Sequence, residues 1–421
     1  MSSIQALKGF KDILPDEAPL WQRIETVARD LFQRFGFEEI KVPILEKTGL
    51  FARAIGEATD IVEKEMYTFS DRNGELVTLR PEGTAPVLRA FIEHSLHLRR
   101  PIGKIYTIGP MFRHERPQKG RLRQFHQVSA EALGVDHPRL DAEVIALAWQ
   151  IVAELGLSVS LQLNSLGCPE CRPQYRQTLV QFLEQRQGEL CDDCRRRTIS
   201  NPLRVLDCKS ANCQAALTAA PSIVDALCPA CSEHLAQVRR DLAALAIPYT
   251  INPFMVRGLD YYNRTTFELL TDALGAQAAV GAGGRYDGLV EQLGGPATPG
   301  IGFALGMERL VLLLQQQQAP APAGLDLFIA CLGEAAADRG FLLLNQCRQA
   351  GLAAAMDVQG RGLKSQMKQA DRLHARRVLI LGEEELAANR AVLRDMASKE
   401  QQEFPLDDDP ATLRRLIAVA D

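Results

Sequence analysis

GPMFRHERPQKGRLRQFHQVSAE, residues 109–131, is the stretch on which the fold turns. Ile105 to Arg113 alternates as a strand, and Glu115 to Gly120, with Pro117 and Gly120, supplies turn chemistry. Arg123 to Glu131 then returns as the second strand of a hairpin. Alternation along a strand puts Phe125, Gln127, Ser129 and Glu131 on one face. An aromatic ring, an amide, a hydroxyl and a carboxylate occupy positions that a plain core strand would give to apolar residues. Arg113, Arg116, Lys119, Arg121 and Arg123 crowd the turn. Such a cluster suits a polyphosphate or a nucleic-acid backbone, although a charged hairpin tip can also be merely solvated.

These residues resemble motif 2 of class II aminoacyl-tRNA synthetases in its histidyl-tRNA synthetase form. The resemblance implies that Arg113 grips the ATP α-phosphate, with Arg121 also at the nucleotide. It implies that Phe125 stacks on adenine, that Gln127 and Glu131 face histidine, and that loop 114–122 meets the tRNA acceptor end.

Working outward, Leu20 to Phe35 carries Leu20, Ile24, Val27, Leu31, Phe32 and Phe35 on one helical stripe, and Gly36 stops it. Phe37 to Val42 reads as a strand. The pair resembles motif 1, the dimer interface of class II synthetases, and implies a homodimer built on residues 20–43; a core helix and strand account for the pattern equally well. Residues 50–78 contain a loop with Gly56, Thr59, Asp60 and a Glu-rich turn, and Val77 to Arg80 reads as a short strand. In PEGTAP (81–86), Thr84 is placed to cap a helix starting near Ala85. The resemblance adds that Glu82, Gly83 and Thr84 hold the histidine α-amino group. Pro138 to Leu155 reads as an amphipathic helix, and 157–167 as a strand.

Ten cysteines are present, eight of them between Cys168 and Cys231, where even spreading would place about 1.5. They fall as CPEC (Cys168, Cys171), CDDC (Cys191, Cys194), CKSANC (Cys208, Cys213) and CPAC (Cys228, Cys231). Four close pairs are enough for two tetrahedral Cys₄ sites for structural Zn²⁺, whereas reduced structural thiols or redox pairs would use the same residues. The segment occupies the place of the family's insertion domain, which leans on the tRNA acceptor stem. Arg195 to Arg197 give it a basic edge.

RGLDYYNRTTFELL (257–270) resembles the histidine-specific signature of the same family. It implies that Arg257 sits by the substrate carboxylate and α-phosphate, and that Tyr261 and Tyr262 border the histidine. Glu131 and Tyr262 are placed to serve the imidazole nitrogens. A pocket that hydrogen-bonds a particular ring rejects analogues lacking its groups by up to ~10⁴–10⁵, and no segment resembles an editing domain. In AVGAGGRYDGL (279–289), Gly283 and Gly284 are expected to let backbone approach a ligand. Arg285 and Tyr286 are then expected to face the pocket, with Tyr286 against the imidazole. GIGFALGMERLVLLL (300–314) is a strand running into a helix and resembles motif 3, which implies that Arg309 meets the γ-phosphate.

QQQQAPAPAG (315–324) is a linker by composition. Beyond it strand and helix signals alternate as a small separate α/β domain. Residues 362–383 resemble the anticodon-binding domain of class IIa synthetases. Lys364, Lys368, Arg372 and Arg376 fall at helical spacing on or near one face, which implies tRNA contact.

The expected fold is therefore an α+β catalytic domain with an antiparallel sheet (1–167 and 232–318). It carries an inserted, mostly helical cysteine-rich domain (168–231). A linker (319–324) leads to a C-terminal α/β anticodon-binding domain (325–421). The resemblance implies activation of histidine by ATP with Mg²⁺, through catalytic Arg257, Arg113, Gln127 and Glu82, and transfer to tRNA(His). The chain has 421 residues, 46% hydrophobic and 24% charged, and a net charge of −4, so RNA contact must use local patches. The N-terminus lacks the apolar core of a signal peptide, and no run reaches the ~18 apolar residues of a membrane span, so a cytoplasmic protein is expected. Two rivals share parts of this reading. One is the inactive paralogue that regulates ATP phosphoribosyltransferase, which typically lacks the anticodon domain and has eroded motifs. The other is a zinc-stabilised RNA-binding protein without catalysis.

Overall fold

The computed structural model describes residues 4–406, apart from 57–58, 100–101, 257, 260, 278 and 318–323. The chain divides into two compact units, Met1–Gln318 and Ala319–Asp421. No helix among the described residues is long and apolar enough to cross a membrane.

The first unit opens with helix α1 (Ala18–Arg34), which buries Trp21, Ile24, Ala28, Leu31 and Phe32. Gly36 ends it with φ +74°, a left-handed turn that favours glycine. The strand expected over Phe37–Val42 shrinks to β1 (Glu38–Glu39). Ahead of the expected loop lies β2 (Leu45–Lys47); within 50–78 the chain adds the rest of α2 (Thr48–Ile55) and β3 (Tyr67–Ser70), more order than the composition implied, and β4 (Leu76–Leu79) answers to the strand expected over Val77–Arg80. The three strands form a small antiparallel sheet. Phe51, Ala54 and Ile55 give α2 a buried face. Next come α3 (Thr84–Glu93), the hairpin strands β5 (Gly103–Phe112) and β6 (Gln124–Leu133), α4 (Pro138–Glu154) and β7 (Ser160–Ser165).

The cysteine-rich stretch supplies α5 (Arg172–Glu184), α6 (Asp192–Ser200), α7 (Ala211–Leu217) and α8 (Pro229–Ala244). Tyr175, Leu179, Leu183, Val205 and Cys213 form a hydrophobic cluster of their own there. The chain then returns through β8 (Tyr249–Ile251), β9 (Asn263–Leu270), β10 (Ala279–Arg285), α9 (Leu289–Gln292), β11 (Gly300–Gly306) and α10 (Met307–Gln316).

Eight of these strands make one sheet in the order β1-β5-β6-β11-β10-β9-β7-β8. The six central strands are antiparallel, and the two edge pairings, β1 with β5 and β7 with β8, are parallel. Helices α1, α4 and α10 share one core with the inner residues of the sheet, among them Val128, Ala130, Ala132, Ile301, Phe303 and Leu305. Because one face is committed to that core, period-2 alternation turns the intervening residues of β6 and β11 to the opposite face. Helix α4, expected as amphipathic, is buried nearly all round, with ten buried residues from Leu140 to Val152, and so is a core helix.

The second unit contains β12 (Leu327–Cys331), α11 (Glu334–Gln349), β13 (Ala354–Met356), α12 (Leu363–Arg372), β14 (Arg377–Leu381), α13 (Glu383–Ala387), β15 (Arg390–Asp395) and β16 (Gln401–Pro405). Its sheet runs β13-β12-β14-β15-β16, parallel in the first three strands and antiparallel in the last two. The Gln366 amide accepts from the Cys331 backbone N–H at 3.0 Å and donates to the Cys331 carbonyl at 2.7 Å, which ties α12 to β12. Lys364, Lys368 and Arg372 are exposed on α12. Arg376 lies beyond that helix, paired with Asp326 at 3.7 Å, so it does not continue the helical row. The centre of the expected linker falls outside the described residues.

Candidate active site

One cavity of about 360 Å³ opens on the sheet face that the core leaves uncovered. It is lined by Glu82, Gly83, Thr84, Arg113, Arg121, Phe125, Gln127, Tyr261, Tyr262, Tyr286 and Arg309, together with Ser129. Register explains the convergence. β6 is paired on one side with β5 and on the other with β11, with Glu131 opposite Gly302, Ser129 opposite Ala304 and Gln127 opposite Gly306. The functional side chains of β6 thus stand beside a strand whose neighbours are small. Along β11 the residues alternate: Ile301, Phe303 and Leu305 are buried in the core cluster, while Gly302, Ala304 and Gly306 line the cavity, which Phe303 also borders. That alternation was visible in GIGFALG and is the signal the sequence reading passed over. A Cβ at Gly302 would fall on the Glu131 carboxylate and 2.6 Å from the Ala130 carbonyl oxygen, so only glycine fits there.

Behind the inner end, Glu131 is 3% exposed and reaches the cavity only through the lining residues Thr84 and Tyr286 that it bonds. Its Oε1 accepts from the Thr84 hydroxyl at 2.7 Å, and its Oε2 accepts from the Tyr286 hydroxyl. Burial lifts its pKa to about 8, against the pull of those two donors. Glu82 is buried as well, and desolvation raises it from the ordinary carboxylate range; the Ala85 and Thr84 amides act the other way. Tyr261 stacks obliquely on Tyr262, with ring centroids 4.6 Å apart, and meets Tyr286 edge-on at 5.7 Å.

The expected cap is reversed. Thr84 makes no capping bond of its own. The Glu82 carboxylate accepts from the Thr84 and Ala85 amides at 2.7 and 2.8 Å, which frees the Thr84 hydroxyl for Glu131. A carboxylate at a helix N-terminus also suits the helix dipole.

At the outer end the charges are cationic. Arg113 donates to the Pro81 carbonyl at 2.8 Å and lies over the Phe125 ring, 5.2 Å from its centroid. Arg309, on the first turn of α10, donates to the Ala279 carbonyl; burial, then the charges of Arg121 and Arg113, depress its pKa. Glu115, read before only as a turn residue, pairs with both Arg113 (3.8 Å) and Arg121. Glu308 accepts from the His126 backbone N–H at 2.9 and 3.0 Å, which locks α10 to β6 beside Arg309. Neither acidic residue had a sequence signal beyond its neighbours.

Three placements differ from expectation. Arg285 is fully buried and ion-paired with Asp141 (2.9 Å) and Asp287 (2.6 Å), away from the cavity. Successive strand residues point to opposite faces, so Arg285 and Tyr286 cannot both enter one pocket. Gly283 and Gly284 make room for protein and not for ligand: a Cβ would meet Phe267 at 2.7 Å in the first case and Tyr262 at 2.9 Å in the second. Arg123 turns from the cavity and donates to the Glu115 carbonyl at 3.2 Å. Arg257 lies outside the described residues.

The eight cysteines form two groups: Cys168, Cys171, Cys228 and Cys231, and Cys191, Cys194, Cys208 and Cys213. Within the first, sulfur separations are 3.8 Å (168–171), 3.8 Å (168–228) and 3.9 Å (171–231). In the second, Cys191 and Cys208 are 3.9 Å apart. A tetrahedron with Zn–S of about 2.3 Å has edges of about 3.8 Å, so the donor sets fit that ion in type, number and spacing. The basic edge expected beside them is internally compensated: Arg195 and Arg196 pair with Asp192 and Asp193, and Arg197 with Asp60 at 3.3 Å.

The histidyl-tRNA synthetase profile matches residues 9–310, across the large sheet and its cavity, and the anticodon binding domain profile matches residues 326–416. The chain belongs to the histidyl-tRNA synthetase family. It is 58% identical to the histidine–tRNA ligase of Desulfotalea psychrophila over 96% of this chain and 94% of that one. It is 55% identical to the histidine–tRNA ligase of Geobacter sulfurreducens over 98% and 99%. Its fold is similar to that of the apo histidyl-tRNA synthetase of S. aureus, with a TM-score of 0.82 at 38% identity, covering 98% of this chain and 100% of that one. Family membership brings ATP as the co-substrate; the inactive-paralogue reading is not favoured.

Proposed function

We propose that the chain is a histidine–tRNA ligase that forms histidyl-adenylate and passes the histidyl group to tRNA(His). The observation that carries this reading is the division of one cavity between a buried Glu131–Tyr286–Thr84 set and an arginine end. Histidine sits at the inner end, its imidazole toward Glu131, Tyr262 and Tyr286 and its amino group toward Glu82 and Thr84. ATP enters as its Mg²⁺ complex, with adenine on Phe125 and the phosphates among Arg113, Arg121 and Arg309. A histidine carboxylate oxygen attacks the α-phosphorus in line, the bond to the bridging oxygen breaks, and pyrophosphate leaves. The 3′-terminal hydroxyl of the tRNA then attacks the histidyl carbonyl, and AMP departs. Neither step requires a protein base so much as alignment and positive charge on the phosphates, which Arg113, Arg257 and Arg309 supply and Gln127 helps orient.

The remaining assignments rest on the same reading. The catalytic core spans 1–167 and 232–318, the insertion 168–231, the linker 319–324 and the anticodon-binding domain 325–421. The exposed Lys364, Lys368 and Arg372 row meets tRNA. The protein works as a cytoplasmic homodimer through residues 20–43, and its two cysteine sets hold structural zinc. ATP–pyrophosphate exchange across the twenty amino acids tests the central claim. Exchange with histidine alone is expected; a folded protein with no exchange for any amino acid would instead be the regulatory paralogue.

A further inference from the structure

The two cysteine sets differ in position. Cys168 and Cys171 follow β7, and Cys228 opens α8, so the first set closes the root of the inserted segment where the chain leaves and rejoins the sheet. Cys191, Cys194, Cys208 and Cys213 lie among α6, α7 and the insertion's own hydrophobic cluster, and no cysteine of either set lines the cavity. We propose that the root set is a zinc site that fixes the histidine end of the pocket, whereas the outer set holds only the insertion's own fold. This rests on the ligase reading above.

Two lines of bonds run from the root to the pocket wall. Arg172, next to Cys171, donates to the Leu166 carbonyl at 3.3 Å and to the Tyr262 carbonyl. The backbone there is stitched further: Leu166 N–H donates to the Arg264 carbonyl at 2.7 Å, and Arg264 N–H to the Gly167 carbonyl at 2.9 Å. The second line starts one turn past Cys231. His234 bonds Asp141 at 2.7 Å, Asp141 accepts from Arg285 at 2.9 Å, and Arg285 directly precedes Tyr286, the donor to Glu131. Both lines end on residues that border the substrate.

The root is also suited to a metal–thiolate centre. Binding Zn²⁺ releases four thiol protons to solvent and leaves a net charge of −2. Helices α5 and α8 both begin at this set, with Cys171 and Cys228 immediately before them, so two positive helix ends lie beside it. The Cys168 amide donates to the Cys171 sulfur at 3.2 Å. The ion joins segments 60 residues apart in sequence, and without it the ends of both lines lose their common anchor.

The test uses the full chain. Metal analysis of the purified protein is expected to give two zinc ions per chain; folded protein without zinc overturns the zinc assignment itself. Cys228→Ser is expected to lose one ion and to raise the KM for histidine in pyrophosphate exchange on the order of tenfold, with the KM for ATP unchanged. Cys228→His, which keeps a ligand, restores both the ion and the KM. Cys208→Ser loses the other ion and leaves the histidine KM unchanged. If Cys228→Ser fails to fold, Arg172→Ala decides: it should retain both ions and still raise the histidine KM. An unchanged KM there, or an equal rise in Cys208→Ser, overturns the link between root and pocket while leaving the ligase reading intact.

Discussion

Glu131, at the inner end of the cavity, is sealed from water and keeps both carboxyl oxygens occupied by hydroxyl donors. Arg113, Arg121 and Arg309, at the outer end, stand in partial contact with solvent and share the acidic Glu115 or backbone carbonyls. The inner end suppresses charge, because burial makes the neutral carboxyl the cheaper form. The outer end concentrates like charge, which is tolerable only while Glu115 and water screen it. On the proposed assignment, an imidazole at the inner end needs hydrogen-bond geometry and a triphosphate at the outer end needs positive potential, so the two tasks fall to different ends of the cavity.

The largest effect is expected from Arg113→Ala. Loss of one preorganised group at developing charge typically lowers turnover about 10²–10³-fold. Pyrophosphate exchange should therefore lose kcat by that order while the KM for histidine hardly moves. A KM change of the same size would erase the distinction between the two ends. Glu131→Gln should act in the opposite sense. A buried partner left unsatisfied costs about 1–3 kcal/mol, so the histidine KM should rise about 5–150-fold with the ATP KM unmoved, and a rise shared by ATP would place Glu131 wrongly.

The pH dependence of stability sharpens the inner end. Glu131 is held at about 8 in the fold, against an ordinary value of 4.5. A carboxyl raised by folding contributes fully below pH 4.5, and that contribution is lost as the pH rises through 8. Each unit in that window removes up to about 1.4 kcal/mol. The ligand-free protein should lose stability across pH 4.5–8 more steeply than Glu131→Gln does in denaturant titrations; identical slopes would show that Glu131 is ionised throughout. The smallest effect belongs to Thr84→Val, which removes one donor to Glu131 and should weaken histidine binding by about 1 kcal/mol, roughly fivefold.

Legibility in the sequence followed the strength of the local rule. The β6 face was readable from period-2 alternation, and the Arg309 position from a strand passing into a helix. The cysteine pairs declared ligand units, yet the partition into 168/171/228/231 and 191/194/208/213 depends on which helices meet in space. Arg285 was misread because a charged residue beside a glycine run resembles a ligand contact. Two of its carboxylate partners, Asp141 and Asp136, are about 150 residues away in sequence, and only Asp287 is a near neighbour. Glu82 took the capping role because its carboxylate reaches the Thr84 and Ala85 amides, which a Thr84 hydroxyl cap would not serve. These outcomes are decided by tertiary packing and leave no periodic trace.

The small-residue face of β11 has an evolutionary consequence. Gly302 stands opposite Glu131 on one side and Gly284 on the other, so two strands present backbone where side chains would intrude. Such a floor cannot drift by small steps, since even one methyl group at Gly302 displaces the carboxylate it supports. Changes in the pocket must then come through the surrounding walls, while the floor persists as an inherited constraint.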